Sequence, residues 1–222
     1  MMRVHIICEG QTEETFIKEL LAKQFEAKGL YFYPTLIGTQ FRKGGNVKAN
    51  RLLDALETRL LGDVNSYCST FFDYYGLPSD FPGKKNAESQ SKIADKAACI
   101  QKELVSYLEN QIGCDATQRF IPYVQMHEFE GLLFSDPTSL AEGLYKADLA
   151  SKFNLIRQQF PTPEDINDSY ETAPSKRIMK LYPGYRKPLN GLQAACKVSI
   201  ATIRRECRLF NQWLVRLESL CS

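Results

Sequence analysis

Three stretches of the chain place acidic residues directly after a short apolar run. Glu9 follows Val4–Cys8, Asp73 follows Tyr67–Phe72, and His127-Glu128-Phe129-Glu130 follows a run that starts at Phe120. Glu13 comes one helical turn after Glu9. Apolar runs of this length are those of buried strands, and open α/β sheets hold their ligands at the carboxyl ends of such strands. Carboxylates gathered at one sheet edge repel one another unless a cation lies between them. Oxygen-only donors suit a hard divalent ion, magnesium or manganese. Acids in a first helical turn also suit the helix dipole, so Glu13 and its neighbour Glu14 have an ordinary structural use as well. His127 has no second histidine near it, since the only other is His5 inside the first run, and zinc needs more nitrogen or sulfur than this offers. The sequence contains no G-x-S-x-G, no C-x-x-C and no G-x-G-x-x-G after its first strand, which leaves acyl transfer and dinucleotide binding without support.

The elements that must position these acids follow from periodicity. After Glu9-Gly10, Thr12 can cap a helix whose apolar face holds Phe16, Ile17, Leu20, Leu21 and Phe25. Leu30–Ile37 is a second strand, and Pro34 gives it an irregular or edge character. Residues 38–46 are a basic, glycine-containing loop that could approach a phosphate but matches no Walker pattern. Asn46 is a candidate cap for a helix with Val47, Leu52, Leu53, Leu56 and Leu60 on its buried side. A long helix is expected over about 92–111, and Phe120–Met126 is a fourth strand. Gly131–Phe134 begins a short helical segment, and Leu149, Phe153 and Ile156 mark another. Residues 161–190 are expected as an ordered loop, and 191–220 as one last helix. Strands alternating with helices imply a mainly parallel four-stranded sheet flanked by helices. The expected division is an α/β core over 1–134 and a helical extension over 135–222.

The chain has 222 residues, of which 44% are hydrophobic and 24% charged, the composition of a soluble globular protein. Neither a membrane-spanning run nor a signal-peptide pattern is present, and a cytoplasmic location is expected. Seven cysteines without metal spacing fit free, reduced thiols, with Cys8, Cys99 and Cys196 on apolar faces. Net charge is only +2, yet residues 176–208 carry nine Lys or Arg against one acid, Glu206. Such a bias is either a nucleic-acid footprint or a solvated helix face.

The pattern Glu9-Gly10-x-Thr12-Glu13, the acidic turn at Asp73 and Glu128-x-Glu130 resembles the Toprim domain of topoisomerases, primases and overcoming-lysogenization-defect (OLD) nucleases. Phe72 through Gly83 and His127 through Phe134 look more narrowly like a bacterial family of unknown function with a Toprim-like core, of the DUF4276 type. The resemblance covers about 1–134, and the stretches around Lys176-Arg177 and Tyr185–Lys187 look like the same narrow family. It implies a Rossmann-like Toprim fold in which Glu9 is a catalytic base or metal ligand and Glu13 the nearby acid. Asp73 stands for the first residue of a magnesium-binding Asp-x-Asp, and Glu128 or Glu130 for the acid after the fourth strand. Tyr75 stands where the second aspartate belongs.

The activity implied is magnesium- or manganese-dependent phosphodiester hydrolysis on DNA or RNA, in mobile-element or phage defence beside a partner ATPase. Lys84, Lys85, Lys176, Arg177, Arg186 and Lys187 are the candidate phosphate contacts. The rival is a non-catalytic module of the same fold that docks on nucleic acid or protein, which Tyr75 favours. A small-nucleotide phosphotransferase would want a phosphate loop, and none is found.

Overall fold

A computed structural model describes residues 1–39, 42–43, 47–167 and 169–221. Two compact units emerge: residues 1–124 with 213–222, and residues 125–212.

In the first unit, β1 (Met2–Cys8) pairs in parallel with β2 (Leu30–Leu36) on one side and β5 (Ser66–Asp73) on the other. Between them in sequence, β3 (Gly38–Thr39) and β4 (Arg42–Lys43) make a separate antiparallel pair. β6 (Phe120–Ile121) and β7 (Val124–Gln125) both pair with β5, giving the order β2-β1-β5-β6 with β7 off that path. The sheet thus has five strands rather than four, because Pro122 splits the expected last strand. Proline has no N–H for the ladder. The Thr70 hydroxyl substitutes, donating to the Tyr123 carbonyl and accepting the Tyr123 N–H, both at 2.9 Å.

β1 is buried because it is central: Val4, Ile6, Ile7 and Cys8 are wholly inaccessible. The first helix runs through Gln11–Phe16, a π turn over Ile17–Leu21, and Ala22–Glu26. The sequence offers no account of the π turn. Helix Ala49–Gly62 buries Leu52, Leu56 and Leu60, and helix Ile93–Ile112 buries Ala97, Ile100, Leu104 and Leu108, each set spaced by three or four residues. Lys48 occupies the cap position of the former, and Asn46 lies outside the described residues, as does most of the glycine-containing loop. Trp213 completes this core: its ring stacks on Tyr123 at 4.6 Å and lies 5.4 Å from Phe71, and its N–H donates to Ser69 Oγ at 2.9 Å.

The second unit is helical. Asp136 caps Pro137–Gly143 by accepting the Thr138 and Ser139 N–H groups at 3.0 and 3.1 Å. Gly143 lets that helix approach Lys187–Val198 closely, since a Cβ there would stand 2.5 Å from Ala194 Cα. The expected loop over 161–190 contains helix Pro174–Leu181. The expected single last helix is three: Lys187–Val198, Ile200–Glu206 and Arg208–Glu218. Ser199 breaks the first joint with φ 69° and caps the next helix, its hydroxyl accepting the Thr202 N–H. Past Cys207, the buried Glu164 carboxylate accepts the Leu209 and Phe210 N–H groups, both at 2.9 Å, and so caps the third helix from far along the chain. Cys8, Cys68 and Cys207 are buried free thiols, whereas Cys196 is exposed and Cys99 half-buried.

Candidate functional site

β1 is the strand at which the chain reverses its direction of travel across the sheet: β2 is added on one flank and β5 on the other. Ligand crevices of open α/β sheets form at this switch point, outside the carboxyl ends. Glu9 and Asp73 stand there. The Glu9 N–H extends the ladder to the Phe71 carbonyl at 3.3 Å, and the Glu9 carboxylate accepts the Asp73 N–H at 3.2 Å. Asp73 is the last residue of β5 and is buried.

The turn Tyr74–Gly76 brings the chain back over Glu9. A Cβ on Gly76 would meet the Glu9 carboxyl group where it now lies, so the glycine leaves that carboxyl its present seat. Lys84 holds the same turn. Its ammonium donates to the Tyr74 carbonyl at 2.8 Å and lies 3.3 Å from the Tyr74 ring centroid. Burial lowers the Lys84 pKa to about 8. Among the expected phosphate contacts, Lys84 is thus a turn clamp, while Lys85 beside it is exposed.

Glu13 has turned to its own helix. Its carboxylate accepts the Gly10 N–H at 2.9 Å, and Gly10, not Thr12, occupies the cap position of Gln11–Phe16. A glutamate three residues past the cap that bonds back to the cap amide is the reciprocal half of a capping box. The side chain is buried within one turn of Glu9.

The second group of acids lies in the second unit. His127 takes a left-handed φ of 65°, and Glu130 opens helix Glu130–Leu133. Glu128 accepts the Ser175 N–H at 2.9 Å. Lys187 bridges the pair, 3.5 Å from Glu128 and 3.2 Å from Glu130. The Tyr185 hydroxyl donates to Glu130 at 3.2 Å. Glu130 is fully buried, and that burial pushes its pKa up; Lys187 opposes the rise and Glu128 adds to it. Lys187, an expected phosphate contact, is therefore ion-paired with two expected metal ligands. Arg186 is exposed, and Lys176 and Arg177 are half-buried on helix Pro174–Leu181. Among the described residues, no three Asp, Glu, His or Cys side chains converge to hold a metal ion.

Sequence reasoning missed Gly76, Ser175 and Tyr185. The spacing Tyr185-x-Lys187 was visible, but the bonds it makes span more than fifty residues and leave no local sign.

The C-terminal region of the Burkholderia pseudomallei OLD protein matches this structure with a TM-score of 0.53 and 14% identity, over 100% of both chains. At that identity the likeness is one of fold, and it agrees with the α/β architecture expected from the sequence. No curated protein matches the sequence. The model of a domain family of unknown function, DUF4276, matches residues 8–218, so nearly the whole chain is accounted for and the protein belongs to the DUF4276 family.

Proposed function

We propose that this chain hydrolyses phosphodiester bonds in DNA or RNA with a divalent metal, magnesium or manganese. The observation that supports this most is the Glu9 carboxylate at the β1–β5 switch point, seated on the Asp73 amide and against Gly76. Its donors fit such an ion in chemistry: Glu9 and Asp73 offer hard oxygens, and magnesium needs only one or two carboxylates when a substrate phosphate supplies further ligands. Glu9 and Asp73 would hold it. When bound, the ion supplies a more acidic water and offsets charge on the scissile phosphate.

The chain's own residues do the rest. Glu9 takes the proton of the attacking water, the Asp73 amide and Gly76 fix its orientation, and Glu13 holds the adjacent helix start in place. Lys85, Lys176, Arg177 and Arg186 attract the phosphate backbone. Among the described residues no helix is long and apolar enough to cross a membrane. A cytoplasmic role in mobile-element or phage defence, beside a partner ATPase, goes with this reading through the Toprim resemblance.

The test is cleavage of supercoiled plasmid and of single-stranded RNA with magnesium or manganese. Cleavage should vanish with chelator and fall at least about a hundredfold in Glu9→Gln, which removes the proton acceptor and keeps the shape. Absence of cleavage with either metal, together with no manganese binding by calorimetry at millimolar concentration, would end the proposal. A second reading, a non-catalytic docking module, draws support from Tyr75 at the second aspartate position and from Lys187, which already neutralises Glu128 and Glu130. Nucleic-acid binding unchanged by Glu9→Gln, without cleavage in the wild type, is the result it expects.

A further inference from the structure

Helices Ala150–Arg157 and Pro174–Leu181 flank a cleft of about 330 Å³ in the second unit. Its composition is two-sided. Leu155, Ile156 and Leu181 form an apolar lining, with Leu155 61% exposed. Lys152, Lys176, Arg177 and Lys180 stand around them, and Glu171 is the acid among the described lining residues. Arg177 is pre-positioned: its Nε donates to the Thr172 carbonyl at 2.7 Å, and its guanidinium lies 5.0 Å from the Phe160 ring centroid. Ordering an arginine before a ligand arrives lowers the entropy cost of binding.

From this we infer that the cleft takes one unstacked nucleotide of a single-stranded nucleic acid, its base on the aliphatic floor and its phosphate among the cations. The inference rests on the nucleic-acid part of the proposed function and names the substrate form. A duplex presents phosphates and groove edges while its base faces stay stacked, so it would leave Leu155 uncovered. An unpaired strand offers both an apolar face and a charge from each residue. The volume is at the lower end for ligand sites, which suits one nucleotide rather than a run. Among the described lining residues the cations outnumber the acids, which favours a ligand that carries negative charge.

The experiment is fluorescence anisotropy of the full chain with a labelled 15-mer of thymidylate, a 15-mer of uridylate and a duplex of equal length, in chelator to prevent cleavage. A single strand should bind about tenfold tighter than duplex, the order expected from covering one exposed leucine side chain. Leu155→Asp should remove that preference, and Lys176→Glu with Lys180→Glu should weaken both forms, with thermal unfolding midpoints unchanged. Equal affinity for the two forms, or a preference that survives Leu155→Asp, overturns the inference. So does failure to bind any oligonucleotide while a Leu- and Glu-rich helical peptide binds in a Leu155-dependent way, which assigns the cleft to a protein partner. Metal-dependent cleavage of duplex without single-strand preference sinks the cleft and leaves the nuclease. Single-strand preference without cleavage under either metal does the reverse.

Discussion

The two sets of acids are held in different ways. Glu9 rests on a backbone amide at a strand end, while Glu128 and Glu130 share a lysine, with a tyrosine hydroxyl on Glu130. A backbone amide fixes a carboxylate without cancelling a unit charge; an ammonium cancels it. The difference teaches that Glu128 and Glu130 are compensated by a cation within the fold, whereas the Asp73 amide orients Glu9 through the backbone. Glu164 is an intermediate case. It too is held by backbone amides, yet it is almost wholly buried, and burial outweighs those bonds and raises its pKa to about 7.

Glu164 gives the largest expected effect and tests whether amides alone can offset burial. Its folded pKa lies above the ordinary 4.5, so between these values the folded chain holds more protons than the unfolded one. Stability should therefore fall as pH rises from about 4.5 to about 7 and be flat above, by at most about 3 kcal/mol. Urea unfolding at a series of pH values should show that decline in the wild type and a shallower one in Glu164→Gln. Parallel curves would mean that the amides fully compensate the charge.

Lys187→Met probes the opposite arrangement. It strands the fully buried Glu130 beside Glu128. Removing one partner of a buried pair is strongly destabilising, but the Lys187 side chain is 40% exposed and solvent screening reduces the loss to about 2 kcal/mol. Adding Glu130→Gln should recover part of it. An unfolding midpoint equal to wild type would place Lys187 in solvent and erase the contrast between the two sets.

Tyr75→Asp is the smallest and the sharpest. It adds a carboxylate to the turn that carries Asp73 and should tighten manganese binding about tenfold, because affinity for hard cations follows ligand charge. Calorimetry on folded protein that finds no change would show that position 75 does not face the ion. The match of this turn to a magnesium-binding motif would then be lost.

The strands β1, β2 and β5 and the helix over 93–112 were readable because each carries a buried apolar pattern within its own span. The positions of Glu9 and Asp73 at strand ends were readable to the same extent, because both end apolar runs and strand ends are local features. What was hidden is non-local. The last helix breaks where Ser199 adopts a left-handed conformation and where Glu164 caps from more than forty residues away. The start of the first helix was misplaced by two residues because both Gly10 and Thr12 are acceptable caps, and only the bond from Gly10 to Glu13 distinguishes them. The burial of Lys84 was hidden for the same reason, since a lysine in a polar loop looks solvated until its tertiary neighbours are known.

The return of Trp213 to the first unit has a consequence for synthesis on the ribosome. The second unit is an insertion between Val124 and Trp213, so the sheet is translated long before the ring that stacks on Tyr123. For that interval the nascent sheet has an open hydrophobic slot beside Phe71 and Tyr123, while domains that emerge first ordinarily fold first. The inserted helical unit can fold in the meantime, and the first unit closes only when the last helix has cleared the exit tunnel.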